Sequence, residues 1–152
     1  MHVSYLSFYE SPIGLIRINT SFYDVLSLTF IEEQTEEERE NHLSIRVKEE
    51  LDLYFKGELK SFSFYNYLIS GLERRVLEVV SHIPYGETLT YKDIARFLGN
   101  EEMINPVIAV LNENPCPILI PCHRVIDDKT IGSYVSDIEK KEYLLNLEKD
   151  NY

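Results

Sequence analysis

Residues 114–125 read Asn-Pro-Cys-Pro-Ile-Leu-Ile-Pro-Cys-His-Arg-Val, and this stretch constrains its surroundings more than any other. Its three prolines lack backbone N–H donors and disfavour helix in the residue before each of them. We therefore expect the chain to run extended, like a buried strand, through residues 118–120 and to turn near Cys122. The turn would present a thiol, an imidazole and a guanidinium in direct succession, which indicates a chemically reactive site.

Cys122 and His123 are candidates for a nucleophile and its base. A free thiol has a pKa of about 8.5, so only a small fraction is thiolate at neutral pH unless its surroundings lower that pKa. Neighbouring side chains of an extended chain point to opposite faces, so contact between these two requires a turn or a bridging water. A carboxylate on the last helix, chiefly Glu148, could orient the imidazole. For the dipeptide alone, a structural cysteine beside a capping histidine is the better explanation.

Composition limits the cellular setting. The 152 residues suffice for one domain or two small ones. No apolar run approaches the roughly 20 residues of a membrane span, and the N-terminus has no secretion signal, so we expect a cytoplasmic protein without membrane contact. Cys116 and Cys122 suit neither a disulfide framework nor a common zinc spacing. We expect reduced thiols, no metal and no cofactor.

The charge balance is strongly acidic. There are 15 basic and 26 acidic residues, a net charge of −11. Neither half is basic, since the residues before Leu72 include 6 basic and 12 acidic side chains and the rest 9 and 14. This balance argues against general electrostatic attraction to nucleic acid or to anionic membranes, so any binding of DNA must be local and geometric.

The first part of the chain predicts a three-stranded antiparallel sheet. Val3–Phe8, Leu15–Ile18 and Val25–Phe30 have strand composition, and the turn-like residues 10–14 separate the first two. These residues therefore form a meander.

A covering helix should follow the acidic run Glu32–Glu40. Thr35 and Glu38 match a capping box, and Gly57 is a candidate C-cap. Apolar residues recur at helical spacing between them: Leu43, Val47, Leu51 and Tyr54. Residues 61–67 are aromatic without helical period, and we interpret them as a partly buried crossing between two lobes, with base stacking as the alternative use.

Helical patterns dominate the rest of the chain. An apolar stripe runs from Leu72 to Ile83, and Thr90 can cap a short helix that ends at Gly99. Asn105 followed by Pro106 predicts the start of another helix, which should end near Asn112.

Two short helices around a glycine-containing turn suggest a helix-turn-helix, although many helical hairpins bind nothing. Asp137 can cap a last helix that ends near Glu148. The predicted fold class is α+β, with an N-terminal α/β domain at residues 1–70 and a mostly helical domain at residues 71–152.

The motif Pro121–Val125, preceded by Asn114-Pro115 and by Ile83–Tyr91 (Ile-Pro-Tyr-Gly-Glu-Thr-Leu-Thr-Tyr), closely resembles the O6-alkylguanine-DNA alkyltransferases, or methylated-DNA–protein-cysteine methyltransferases. The resemblance covers about Leu72 to Glu148 without a break and is weaker in the first lobe, at residues 11–14 and 51–57. It implies a ribonuclease H-like N-terminal domain and a winged-helix-like C-terminal domain.

The resemblance also implies roles for the central residues. Cys122 would accept the alkyl group of O6-alkylguanine irreversibly, so that each molecule acts once. His123 would deprotonate Cys122 through a water, Glu148 would orient His123, and Asn114 would hold the turn that carries the cysteine.

A second set of residues would bind the substrate. Tyr91 would lie beside the flipped base and help to protonate the departing guanine. The backbone carbonyls of Cys122 and Val125 would accept the exocyclic amine of the base, and Val135 and Ser136 would contribute from the substrate loop. The partner would be alkylated DNA, bound through its minor groove by a monomer.

The recognition helix departs from the family pattern. Counting back from Asn114 puts Asn105 at the position of the family's DNA-inserted arginine, Pro106 after it, and Ile108 at a family glycine. Asparagine brings no charge, and isoleucine removes the close backbone approach that glycine allows. The helix positions that would meet DNA are Asn105, Pro106, Ile108 and Asn112.

Three hypotheses follow. The first is an alkyltransferase that repairs O6-methylguanine, and the second is a related lesion-binding or regulatory module without chemistry. Non-catalytic family members typically lack the cysteine, so Cys122 favours the first. The third is a diverged thiol protein that reacts with other electrophiles or free alkylated bases, which only the altered helix supports.

Overall fold

In the computed structural model, which describes residues 4–152, the chain is α+β and forms two compact units that divide between Leu68 and Ile69. The first unit contains the main sheet and one long helix, and the second contains the remaining helices. No helix among the described residues is both long and apolar enough to traverse a lipid bilayer.

The first unit contains the predicted meander. Strands β1 (Tyr5–Ser11), β2 (Gly14–Thr20) and β3 (Asp24–Ile31) pair antiparallel in sequence order. The predicted strand start at Val3 lies outside the described residues. A short strand, β4 (Asn66–Tyr67), adds to β3 in parallel, so the sheet has four strands where three were predicted. A two-residue strand is too short to show an alternating pattern, which is why the aromatic segment did not predict it.

Helix α1 (His42–Phe55) covers this sheet, but it begins later than predicted. Its N-cap is Asn41, whose side chain accepts from the Ser44 backbone N–H at 2.8 Å, while Ser44 Oγ accepts from the Asn41 N–H at 2.9 Å. The predicted Thr35–Glu38 capping box is therefore wrong. The predicted apolar face is correct where it matters most, because Val47, Leu51 and Tyr54 are fully buried.

The second unit is built on four α-helices in the described chain. Helix α2 (Gly71–Ser81) buries Val76, Leu77 and Val80. Helix α3 (Tyr91–Phe97) begins at a capping box that Thr90 and Asp93 form, as the Thr90 cap predicted. The other two are α4 (Ile104–Asn112) and α5 (Ile138–Asp150).

Two helix boundaries differ from the predictions. Helix α4 begins at Ile104 with Met103 as N-cap, so Asn105 is not the cap, and Pro106 is the third helical residue. Proline is tolerated there because the first N–H groups of a helix have no intrahelical acceptor. Helix α5 continues to Asp150, beyond the predicted end at Glu148.

The predicted extended run at residues 118–120 is also wrong. Ile118 has a φ of 77°, in the left-handed region, and the Ile120 N–H donates to the Cys116 carbonyl at 3.0 Å. The prolines do exclude helix here, but the chain satisfies its backbone groups in a tight turn. All residues from Pro117 to Val125 are nevertheless buried.

Candidate active site

Asn114 holds the turn that carries Cys122. Its amide Nδ2 donates to the Ile120 carbonyl at 3.0 Å, and its Oδ1 accepts from the Cys116 N–H at 3.0 Å. The Cys122 N–H donates to the Ile120 carbonyl at 2.7 Å. One buried side chain therefore ties both ends of the turn together, and Cys122 opens a single 3-10 turn through Arg124.

A short parallel pairing brings Tyr91 alongside the motif. Strand β5 (Leu89–Thr90) pairs with β6 (Val125–Ile126), with Leu89 opposite Val125. Tyr91 directly follows β5 as the first residue of α3, and it is buried. Strand residues 36 positions apart in the sequence thereby pair beside the cysteine turn.

The buried Glu148 carboxylate accepts four hydrogen bonds in the second unit. His123 Nε2 lies 2.6 Å from its Oε2. Arg124 donates from Nε to Oε1 at 2.8 Å and from Nη2 to Oε2 at 3.0 Å, and the Gly86 N–H donates to Oε1 at 3.0 Å. Arg124 Nη1 also donates to the Ile83 carbonyl at 2.7 Å. The predicted pairing of His123 with Glu148 is present, and Arg124 is a further partner.

This network fixes the charge states of the pair. Burial alone would raise the pKa of Glu148, but the hydrogen bonds from His123 and Arg124 and the positive charge of Arg124 outweigh it and hold that pKa well below its ordinary value. Burial lowers the pKa of His123, and the interaction with Glu148 opposes this only in part. Because an ionised carboxylate only accepts hydrogen bonds, Nε2 carries the ring proton and Nδ1 carries the lone pair of the neutral imidazole.

The Cys122 thiol is protonated at neutral pH. Burial raises its pKa to about 11, against a hydrogen bond from Asn114 and the positive charge of Lys141, which both favour the thiolate. The residue is only 4% exposed. A reaction at this sulfur therefore needs a group that removes its proton.

Lys141 is a functional candidate that the sequence analysis missed. It is fully buried, and its Nζ donates to the Val125 carbonyl at 2.6 Å and to the Ser133 carbonyl at 2.8 Å. Burial lowers the pKa of Lys141 to about 8, an effect that a charge on Cys122 opposes. The spacing could have revealed it, because Lys141, Leu144 and Glu148 stand at positions i, i+3 and i+7 of one helix face.

The substrate loop is tied to α3 and α4. The Ser133 N–H donates to the Tyr91 hydroxyl at 3.1 Å, and Ser133 Oγ donates to Asn112 Oδ1 at 3.0 Å. Val135 and Ser136 are half-buried in this loop. Tyr134 is half-buried in the same loop, and burial of its hydroxyl raises its pKa well above the ordinary value.

The predicted DNA-binding positions lie on α4. Asn105, Pro106 and Asn112 are exposed, and Ile108 is half-buried. Residues 104–112 contain no charged side chain. Of these positions, Asn112 has a hydrogen bond that links it to the loop beside the cysteine.

Among residues 4–152, no three histidine, cysteine, aspartate or glutamate side chains are grouped so that they could hold a metal ion. Both cysteines are free thiols. The ionisable side chains of the site include a thiol, an imidazole, an ammonium group and a phenol.

Fold and site together define a class of α+β protein with a buried cysteine, a histidine–carboxylate pair behind it and two short helices beside it. Residues 71–150 match the family model for the DNA-binding domain of 6-O-methylguanine DNA methyltransferase. The chain belongs to the methylated-DNA–protein-cysteine methyltransferase family.

Relatives and solved structures agree with this assignment. The chain is 36% identical over 149 residues to a probable methylated-DNA–protein-cysteine methyltransferase of Acanthamoeba polyphaga mimivirus, covering 93% of this chain and 95% of the relative. It is 36% identical over 156 residues to the methylated-DNA–protein-cysteine methyltransferase of Methanosarcina barkeri, covering 97% and 98%.

The fold also matches solved structures. A crystal structure of the Mycobacterium tuberculosis O6-methylguanine methyltransferase superimposes with a TM-score of 0.87 at 28% identity, covering 99% of this chain and 95% of that chain. A structure of M. tuberculosis OGT in complex with DNA gives a TM-score of 0.85 at 30% identity, covering 95% and 92%.

Proposed function

We propose that this protein repairs DNA by transferring the alkyl group of O6-alkylguanine irreversibly to Cys122. It is a methylated-DNA–protein-cysteine methyltransferase that acts once per molecule. The observation that carries the proposal is the turn held by Asn114, which delivers Cys122 next to a buried His123–Glu148 pair in a chain of this family.

The transfer is an in-line displacement. The Cys122 sulfur forms a bond to the alkyl carbon while the bond from that carbon to guanine O6 breaks, and the electron pair of the broken bond stays with guanine. The thiol loses its proton and the departing guanine gains one, so the products are an S-alkylcysteine and unmodified guanine. Both proton movements need a positioned group.

His123, Glu148 and Asn114 serve the thiol in this proposal. His123 accepts the thiol proton at Nδ1 through a water, since Nε2 is engaged with Glu148. Glu148 keeps the imidazole in that tautomer and stabilises the cation that forms. Asn114 fixes the turn and favours the thiolate by its hydrogen bond to Cys122.

Tyr91, Val125, Val135 and Ser136 bind the base. The Tyr91 hydroxyl accepts a hydrogen bond from Ser133, which leaves its own proton available for the departing guanine. The carbonyls of Cys122 and Val125 accept the exocyclic amine, and the backbone N–H of Val135 reaches the guanine oxygen. Ser136 completes the loop that covers the base.

The DNA partner is bound through its minor groove by α4, with Asn105, Pro106, Ile108 and Asn112 at the contact. Because Cys122 is buried, a guanine inside the duplex cannot reach it, so the base must be flipped out of the stack. The structure of the similar M. tuberculosis protein in complex with DNA supports DNA binding by this fold.

The finer architecture is part of the same proposal. The three-stranded meander under α1 supports a ribonuclease H-like domain at residues 1–70, and consecutive α3 and α4 support a winged-helix-like domain with a helix-turn-helix at residues 71–152. The two free thiols suit a cytoplasmic location. The proposed functional form is a monomer.

The test is an intact-mass measurement after incubation with an oligonucleotide that contains O6-methylguanine. We expect the wild-type protein to gain one methyl group and the Cys122→Ala variant to gain none. A wild-type mass that stays unchanged under conditions where the folded protein binds the oligonucleotide would contradict alkyl transfer.

One observation favours a second candidate function, a lesion-binding protein without chemistry. The uncharged α4, with Asn105 in place of arginine, departs from the pattern expected for efficient handling of duplex DNA. Under this alternative the lesion duplex would bind tightly while no methyl group is transferred, and Cys122→Ala would bind as well as the wild type.

A further inference from the structure

A tight turn before strand β5 donates one of the four hydrogen bonds that Glu148 accepts. The Glu87 N–H donates to the Pro84 carbonyl at 3.1 Å, and Gly86, the third residue of the turn, has a φ of 78°. These features match a type II turn, which needs a positive φ at its third residue and therefore favours glycine. The Gly86 N–H donates to Glu148 Oε1 at 3.0 Å. We name residues 84–87 the Gly86 turn.

The inner side of the Gly86 turn rests on the buried network. Arg124 Nη1 donates to the carbonyl of Ile83, the residue before the turn, at 2.7 Å. The guanidinium carbon of Arg124 lies 5.7 Å from the centre of the Tyr85 ring. Arg124 also donates to both oxygens of Glu148. Because the turn and the carboxylate share this partner, a displacement of the turn changes the hydrogen bonding of Glu148.

The outer side of the Gly86 turn is covered by Tyr152. A Cβ added to Gly86 would overlap the Cδ2 atom of the Tyr152 ring, so the ring packs directly against the Gly86 backbone. Tyr152 follows helix α5 and lies four positions, or about one helical turn, after Glu148. Its side chain is 73% exposed. The ring therefore covers the turn from the solvent side, while Glu148 meets the same turn from the inside.

The orientation of the peptide between Tyr85 and Gly86 matters because Glu148 is ionised. Type I and type II turns differ by a rotation of this central peptide. The rotation would turn the Gly86 N–H away and bring the Tyr85 carbonyl oxygen towards a negative carboxylate. The Tyr152 ring occupies the space next to Gly86 and so opposes such a movement of the backbone.

We propose that Tyr152 is a positioning residue of the His123–Glu148 pair, because its ring holds the Gly86 turn with the Gly86 N–H bonded to Glu148 Oε1. The inference rests on the proposed function, in which His123 removes the thiol proton. Tyr152 acts through Gly86 and Glu148 and is not a catalytic residue.

Loss of the Gly86 hydrogen bond should make His123 a stronger base. A carboxylate that accepts two or three backbone N–H bonds can have a pKa below about 2, so one such bond lowers a carboxyl pKa by about one unit. Without it, Glu148 stays ionised through Arg124 but attracts the imidazolium form of His123 more strongly. Lys141 and Tyr85, the other titratable groups that act on this network, are not altered. The pKa of His123 should therefore rise, by at most about one unit.

The experiment follows His123 and the transfer reaction separately, in the full chain. The NMR titration midpoint of the His123 ring is measured directly, and the single-turnover rate of methyl transfer is measured against pH. We expect Tyr152→Ala to raise the midpoint by about 0.3 to 1 unit and to speed solvent exchange of the Gly86 amide. The transfer rate should fall in acidic solution, where more imidazole is protonated, and keep its wild-type value in mildly alkaline solution.

Two variants serve as controls. Tyr152→Phe keeps the ring and should keep the wild-type midpoint. Tyr23→Ala removes a tyrosine that is equally exposed, at 73%, but lies in the first unit, so it should leave the midpoint unchanged.

A double-variant comparison tests whether Tyr152 acts through Gly86. Gly86→Ala places a methyl group where the ring lies and should shift the midpoint in the same direction as Tyr152→Ala. The double variant should shift it by less than the sum of the two, because both changes act on one hydrogen bond.

The inference is overturned if Tyr152→Ala leaves the His123 midpoint at its wild-type value or lowers it, or if it slows transfer equally at every pH. Failure of the proposed function is a separate result. In that case the wild-type protein transfers no methyl group at any pH, while the NMR titration still shows whether Tyr152 positions the pair.

Discussion

The acceptor site and helix α4 distribute charge in opposite ways. Around Cys122, His123, Arg124, Lys141 and Glu148 are all buried and hydrogen-bonded. Helix α4 contains no charged residue. The proposed acceptor site thus contains four buried charged or titratable side chains, while the helix proposed to contact DNA contains none.

The charged side chains of the second unit that are buried together lie around Cys122, and α4 has none. Buried charges are costly unless paired, and those around Cys122 are held by partners that also set proton positions. A surface that follows phosphates gains affinity from lysine and arginine, which α4 lacks. We therefore expect substitutions at the site to act on stability and proton transfer, and substitutions on α4 to act on DNA affinity.

The largest effect should come from Glu148→Gln. Loss of this charge leaves Arg124 buried without its counter-ion, and breaking a buried pair in this way costs about 3–5 kcal/mol. Chemical denaturation would measure the free energy of unfolding. The matched control is Glu78→Gln, which removes the partner of Arg74 in an exposed ion pair and should change little. If both variants lost the same free energy of unfolding, the buried network would stabilise the protein no more than an exposed ion pair does, which would contradict this prediction.

The pH dependence of transfer should follow His123. Its pKa is lowered by burial against the opposing effect of Glu148, with the charges of Arg124 and Lys141 acting in the same direction as burial. A lowered pKa means that the imidazole takes up a proton only in more acidic solution, so it remains a base below its ordinary pKa. We expect the single-turnover rate at saturating DNA to hold as the pH falls through about 6.5 and to decline only below that.

The control for this profile is the thiol itself. Since burial raises the pKa of Cys122 to about 11, thiolate absorbance should be missing at neutral pH and appear only in strongly alkaline solution. A rate that falls already above pH 6.5, in a protein that is still folded, would contradict the assignment of His123.

The smallest effect should come from Asn105→Arg on α4. The added guanidinium supplies a cation to the minor groove, so duplex affinity at low salt should rise. If the guanidinium also neutralises one phosphate, the slope of log affinity against log salt should steepen by about 0.9. Asn105→Gln lengthens the side chain without adding charge and is the matched control. If Asn105→Arg bound duplex DNA at low salt no more tightly than the wild type, the expectation that charge on α4 controls DNA affinity would be wrong.

The sequence predicted the parts of the fold that repeat or carry a specific motif. The meander alternates at period two, and α3 has a capping threonine before it and a glycine after it, so both were identified. The motif at Asn114 and Cys122 also indicated that a carboxylate at Glu148 would meet His123, and the two side chains lie 2.6 Å apart.

The parts that escaped prediction depend on contacts between distant residues. In the sequence, Lys141 cannot be distinguished from an exposed lysine. It is buried because the carbonyls of Val125 and Ser133 accept hydrogen bonds from its ammonium group. Residues 118–120 have strand composition, but Asn114 folds them into a turn. The β4 pairing and the Asn41 cap likewise follow from neighbours that a local pattern does not contain.

The most direct test of the central claim is to locate the transferred group by tandem mass spectrometry after reaction with O6-methylguanine DNA. Cys116 and Cys122 are both buried and six positions apart, and Asn114 contacts both ends of their turn. We expect methyl on Cys122 alone, because only that thiol opens the 3-10 turn next to His123. Methyl on Cys116, or on neither cysteine, would contradict it.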